Sequence, residues 1–311
     1  MFQLFKNRDF GDYISDTFGF FRQTGKHFMK IYFTINGIPL MIMMVLSYFL
    51  FQVYFDFFKT SISGQDFGGF ESMMTENLPV IILLAIFIFL FLIFMSMLNY
   101  TVPVIYLDLY DKKKGNDFSV SDVVSVLKSN FGKMLIFFIA SLFVITPIAF
   151  IIFALLILLC FIIIGFPLLL FAIPTFFSWI ALSYYEYINF NKGYFESLSN
   201  GFSKMKSQYF PIVGSLMVIY IIVQVATTIF TMIPYLFGMV SMFTSLEQNP
   251  GSSEGLGTFG IMMAIVMVIS ILMSYILNNL MLVNQGLAHY SRRENDENIS
   301  SQDSIDLIGR E

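Results

Sequence analysis

An all-α integral membrane fold, with six transmembrane helices arranged as three copies of one unit, is what this sequence predicts. Three observations carry the prediction: long runs without charge, a lopsided distribution of bases, and an amphipathic stretch ahead of each pair of crossings. Only 12% of the 311 residues are charged and 57% are hydrophobic, with 39 Phe, whereas soluble domains carry about 25% charge. Charge is absent from Ile31 to Phe55, from Asn77 to Leu107 and from Met134 to Tyr185, runs of 25, 31 and 52 residues. It is absent again over Ser207–Leu246 and Gly255–Ser291. A crossing needs about 20 apolar residues. The 52-residue run therefore holds two crossings, broken near Gly165-Phe166-Pro167, and each other run holds one. "VIILLAIFIFLFLIFM" (80–95) is apolar on every side, which suits a lipid-buried helix and lacks the alternation of a barrel strand.

The first copy opens with an amphipathic stretch in which Phe10, Tyr13, Ile14, Thr17, Phe18 and Phe21 share a helical face. Asp12, Asp16, Arg22 and Gln23 take the other side. The second opens with "SVSDVVSVLKSNFGK" (119–133). There Val120, Val123, Val124, Leu127 and Phe131 line one face, and Ser119 with Asp122 has the form of a capping box. The third opens with "GYFESLSNGFSKMKSQYF" (193–210), with Tyr194, Leu198, Phe202, Met205 and Tyr209 on one face. In each, acids come early and bases late, the order a helix dipole favours. The repeat units run over about 9–110, 117–190 and 192–291, within a single six-helix domain at 1–291. The polar stretch 292–311 is expected to be a disordered cytoplasmic tail.

Sixteen of the 17 Lys and Arg residues fall on one side of this topology, and only Lys59 falls on the other. The positive-inside rule puts that side, and both termini, in the cytoplasm. The first 30 residues lack a short apolar core, so the first crossing is expected to act as an uncleaved insertion signal. The even-numbered crossings end in Tyr-rich stretches, "NYTVPVIYLDLYDKKKG" (99–115), "ALSYYEYINFNKG" (181–193) and "LVNQGLAHYSRRE" (282–294), suited to an aromatic belt.

The surface-helix-plus-hairpin unit, with "PVIYLDLYDKKKG" after the second crossing and "RDFGDYISDTFGFFRQTGKHF" (8–28) at the start, resembles a family of bacterial multi-pass membrane proteins. These are similar to the membrane portion of glycerophosphoryl diester phosphodiesterases, in flavobacterial-type relatives. The resemblance implies the same helical architecture over nearly the whole chain and a bacterial inner-membrane location. It brings no catalytic residues, because no stretch is polar or long enough for a soluble catalytic barrel.

The sequence offers no catalytic motif, no cofactor motif and no metal spacing. HExxH, Walker, GxSxG and CxxC patterns are absent, Cys160 is the only cysteine, and His27 and His289 fall on different helices. Asp108 and Glu186 are placed at helix ends, at the interface. Two sets of residues remain as candidates. Arg22, Lys26, Lys128, Lys133, Lys204 and Lys206 form a face for anionic lipid headgroups or a membrane-protein partner. Asn36, Asn99, Gln224, Asn278 and Asn279 are neutral polar groups within the crossings, suited to helix–helix hydrogen bonds or to a polar cavity. The amphipathic stretches read either as helices at the lipid surface or as braces under the bundle. The function expected is a non-enzymatic membrane protein that assists or scaffolds another membrane process through its basic face. A transporter or lipid-handling protein with a neutral cavity is the alternative, and nucleic acid is not an expected partner.

Overall fold

The computed structural model of the chain describes residues 2–62, 77–190, 192–248 and 254–299. Among these residues every regular element is a helix: α1 (Phe10–Ile62), α2 (Leu78–Lys112), α3 (Val120–Cys160), α4 (Gly165–Phe190), α5 (Tyr194–Ser207), α6 (Tyr209–Gln248) and α7 (Glu254–Glu297). All but α5 are long and apolar enough to cross a membrane. The six expected crossings are therefore present, and the break expected near 165–167 falls just ahead of that point, at 161–164, with Gly165, Phe166 and Pro167 opening α4.

The repeat of a separate surface helix before each pair of crossings is corrected. Only the third copy has one, α5. The stretches 10–22 and 119–131 are the first turns of α1 and α3 and run unbroken into the apolar part of each helix. The break falls at Gln208, whose backbone leaves the helical region (φ −136°, ψ 52°), and a proline follows it. Pro211 sits in the first turn of α6, and a proline ring collides with the carbonyl four residues before it. That carbonyl belongs to Ser207, the last residue of α5. No proline stands at the corresponding places in α1 and α3, so hydrogen bonding continues. Pro39, Pro103, Pro147, Pro174 and Pro234 all lie inside helices without ending them.

Two boundaries also move. The stretch 292–297, expected as the start of a disordered tail, is the last part of α7. Two pairs at helical spacing support it, Arg292–Asp296 at 3.0 Å and Arg293–Glu297 at 2.9 Å. The links that follow the first and fifth crossings, about 56–77 and 239–258, are partly helical, since α1 reaches Ile62, α6 reaches Gln248 and α7 begins at Glu254. Residues 63–76 and 249–253, and the tail from residue 300, lie outside the described residues.

The chain divides into two compact units. One takes the described residues within 1–35, 97–222 and 278–311, the other those within 36–96 and 223–277. The first has a dense interior. Tyr13, Leu182, Met205, Ile212, Val213 and Ala288 form a buried cluster with Trp179 and Tyr209 packed against it. Beside it, Phe20 meets Phe2, Tyr106 and Tyr110 edge-on at 5.4–6.1 Å between ring centres. Such pairs contribute about 0.5–1.5 kcal/mol each beyond burial. The second unit has few buried side chains, among them Leu40, Ser47, Phe55, Met95 and Ala264. There Gly260 lies directly under the Phe55 ring, where any Cβ would collide with it.

Candidate functional site

The polar groups of the first unit gather where the N-terminal segment, the end of α2, the α4–α5 connection and the end of α7 come together. The N-terminal segment is held by Arg8. Its guanidinium donates to the carbonyls of Gln3 and Leu4 at 2.6 Å each and to Asp16 at 2.9 Å. The Arg8 backbone N–H donates to Ser291 Oγ at 3.1 Å, and the Phe2 N–H to the Tyr110 hydroxyl at 2.8 Å. One side chain thus gathers carbonyls from an irregular segment that has no helix to satisfy them. Burial pulls the Arg8 pKa below its ordinary value, and the neighbouring Asp16 carboxylate opposes that pull. Lys6, bonded to Asp12 at 3.0 Å, has its pKa raised, first by that hydrogen bond.

Behind this strap lies a layer of buried amides and hydroxyls. Asn284 Nδ2 donates to the Tyr13 carbonyl and to Thr17 Oγ1, both at 3.2 Å, and Gln285 Nε2 donates to Asn284 Oδ1 at 2.9 Å. The hydroxyls of Thr101 and Tyr184 are hydrogen-bonded. His27 bridges the Tyr106 hydroxyl at 2.9 Å and the Phe118 carbonyl at 3.0 Å. The carbonyl only accepts, so Nε2 carries a proton and donates to it.

The third feature is Glu186, which is 1% exposed. Lys192 Nζ lies 2.8 Å from its Oε2, and Lys204 Nζ bonds its Oε1. His289 Nδ1 lies 3.5 Å from the same Oε1, and neither of its ring nitrogens makes a hydrogen bond among the described residues. The Phe190 ring is flanked by Lys192, Lys204 and Arg293, the last at 4.9 Å. A cavity of about 350 Å³ opens on this group, lined by Glu186, Phe190, Lys192, Asn200, Ser203, Lys204, Asp296 and Glu297. Close packing brings α5 here. Its Ser197, Leu198, Gly201 and Met205 are buried, and a Cβ at Gly201 would meet the Ser183 backbone of α4. The Trp179 indole donates to the Leu198 carbonyl at 2.9 Å.

Of the six candidate basic residues, Arg22, Lys26, Lys128 and Lys206 are exposed and Lys133 is half-buried. Lys204 stands apart from these: it is half-buried and turns inward to Glu186, because α5 packs closely enough on α4 to bring the two within bonding distance. The stripes divide: Phe10, Phe18, Phe131 and Phe202 are exposed, as a helix at the lipid surface would have them, while α1 buries Tyr13, Thr17, Phe20 and Thr24 as a brace would. The Ser119–Asp122 capping box is present, with the Ser119 N–H donating to Asp122 at 2.7 Å.

Of the five polar candidates in the crossings, Asn99 accepts a hydrogen bond from the Tyr32 hydroxyl at 2.8 Å. Asn36 and Asn279 are buried, and Asn278 is half-buried. Gln224 is corrected as an interior group: it lies on the exposed side of α6, with Val223 turned inward in its place. Cavities among the described residues include the one at Glu186, one lined by Gln23, Thr24, Tyr110, Lys114, Gly115 and Asn116, and one in the second unit near Phe55 and Gly260. None of these is lined by any of the five. No group of three or more His, Cys, Asp or Glu side chains able to hold a metal occurs among the described residues.

Sequence reasoning missed Arg8, Glu186 and His289. Arg8 looked like one more base of the positive side. Glu186 looked like an interfacial acid because it ends a crossing, yet its setting, "SYYEYINF" (183–190), carried a signal. Three tyrosines around one acid suit a buried site with charged partners as well as an aromatic belt. Those partners stand 6 and 18 residues later, at no helical spacing. Comparison with protein-family models, curated proteins and solved structures finds no match to this chain, so the resemblance stated above rests on the sequence alone.

Proposed function

We propose that this chain is a non-enzymatic integral membrane protein of a bacterial inner membrane. Both termini are cytoplasmic, and it assists or scaffolds another membrane process through a basic amphipathic face. The observation that carries this reading is the outer face of α5. Phe195, Ser199, Phe202 and Lys206 follow one another at helical spacing and are all exposed, while the opposite side is buried on α4. Two uncovered aromatic rings beside a lysine suit the headgroup boundary of an anionic leaflet, where rings enter the interface and bases meet lipid charge. Arg22, Lys26 and Lys128 extend the same character along α1 and α3. Brace and interfacial readings of α5 are then complementary, one for each face.

The test is retention of lipid. The full chain, extracted in mild detergent from membranes containing phosphatidylglycerol, is expected to keep anionic lipid detectable by native mass spectrometry. Lys128→Glu combined with Lys206→Glu is expected to lose most of it while the fold persists. Equal retention by the double variant would sink the proposal. Orientation is tested separately in a Cys160→Ser background, where Lys26→Cys should react with an impermeant thiol reagent only after the membrane is opened.

A further inference from the structure

We infer that the cavity at Glu186 is a binding site for the headgroup of a zwitterionic phospholipid, with the lipid phosphate on Lys192 and Lys204 and a primary amine on Asp296 and Glu297. The inference deepens the lipid-facing reading above and rests on it.

The ion cluster is unbalanced in a way a structural bridge does not need. One buried carboxylate, Glu186, holds two ammonium groups, which leaves one positive charge in excess. Lys204 keeps only 16% of its side chain exposed and Lys192 32%. Charge left uncompensated in such a place is costly. Each ammonium has three N–H donors and spends one on Glu186, so donors remain to turn towards the cavity. Glu186 accepts from Lys192 on one oxygen and from Lys204 on the other. It positions the two ammonium groups and is not a ligand.

The opposite side of the cavity carries the other sign. Asp296 and Glu297 line it, each about half exposed, while the arginines they pair with, Arg292 and Arg293, are not part of the lining. Ser203 and Asn200 stand on the α5 side as neutral donors and acceptors. The cavity is therefore dipolar. A free anion would satisfy the lysines and meet two carboxylates, and a free amine would do the reverse. A phosphodiester followed by a primary ammonium satisfies both, and about 350 Å³ lies at the small end of known ligand pockets. The same α5 that supplies Lys204 exposes Phe195 and Phe202 on its outer face, so one helix carries both a cavity lysine and a surface suited to lipid. A trimethylated ammonium has no N–H to give Asp296 or Glu297, so choline headgroups should fit worse.

The experiment uses the full chain in detergent, titrated with dihexanoyl phosphatidylethanolamine, dihexanoyl phosphatidylcholine or inorganic phosphate, with binding read by native mass spectrometry. The ethanolamine lipid should bind saturably, the choline lipid about tenfold more weakly, and phosphate more weakly than either. Lys192→Gln should weaken ethanolamine-lipid binding about tenfold or more. Because loss of a lysine disturbs the Glu186 cluster, Asp296→Asn serves as the second variant. It leaves that cluster intact and should narrow the gap between the two lipids. Equal binding of the two lipids, unchanged binding by Lys192→Gln, or phosphate displacing the lipid at equal concentration would each overturn the inference. The outer basic face fails or stands on Lys128 and Lys206, which do not line this cavity, so the two proposals can fail separately.

Discussion

The two ends of α1 are different materials. From Tyr13 to Tyr32 the helix buries Tyr13, Thr17, Phe20, Thr24, Phe28, Ile31 and Tyr32. From Ile38 to Phe58 it exposes Ile38, Met41, Val45, Phe49, Val53 and Tyr54. The first stretch belongs to the unit with the Arg8 strap and the Glu186 cluster, the second to the unit with few buried side chains. Apolar side chains gain nothing by leaving lipid for one another. An apolar helix in a membrane is therefore held by shape, hydrogen bonds and charge pairs, and these are concentrated in the first unit. Greasiness secures insertion there and elsewhere, but the fixed geometry comes from the polar and aromatic groups.

That contrast can be broken by removing the polar parts. Glu186→Ala strands two partly buried ammonium groups, and about 3–5 kcal/mol of stability should be lost, read as a large fall in thermal unfolding temperature in detergent. Adding Lys204→Met to that variant should recover part of the loss, since it removes a stranded charge. A Glu186→Ala protein as stable as the parent would show that the cluster does not hold the unit together. Arg8→Met should come next, at about 2–3 kcal/mol, because charge-assisted bonds to buried carbonyls are lost. Limited proteolysis should then cut within residues 2–9, a segment expected to resist cleavage in the parent.

Smaller effects sharpen the comparison. Gly201→Ala forces a methyl group against the Ser183 backbone and should destabilise by about 1–3 kcal/mol. Gly37→Ala, in the second unit, meets no atom within 4 Å and should be neutral or stabilise by up to about 1 kcal/mol through helix propensity. Chemical unfolding of the two variants side by side should give opposite signs, and a shared sign would contradict the distinction. Gln224→Leu, on an exposed lipid-like surface, should change stability by no more than about 0.5 kcal/mol, and a larger loss would return Gln224 to the interior.

The crossings were legible because their signal is long and one-dimensional: 25 or more residues without charge admit one structure in lipid. Helix continuity was not. The stripes at 10–21, 120–131 and 194–209 have the same period, and only the third is interrupted, at Gln208, three residues before Pro211. In the sequence the role of each stripe is open between lipid surface and brace, and the structure divides them: Tyr13, Val123, Leu198 and Met205 are buried, whereas Phe10, Phe131 and Phe202 are exposed, because α-helical period fixes a face but not its centre. The Glu186 cluster was illegible as a site. Its members come from α4, from Lys192 between helices, from α5 and from α7, and no local spacing joins them. Lys204 looked like Lys206 in sequence, and only the close approach of α5 to α4 at Gly201 separates their roles.

The central claim is that the first unit closes its polar end with a fixed strap, and cysteine accessibility tests it most directly. In a Cys160→Ser background, Leu4→Cys and Lys26→Cys are placed in the same protein end, one buried at 5% exposure and one exposed. With a water-soluble maleimide on membranes opened to both sides, Lys26→Cys should label readily. Leu4→Cys should label at least about tenfold more slowly until Arg8→Met is added. Equal labelling of both sites with Arg8 in place would contradict the account.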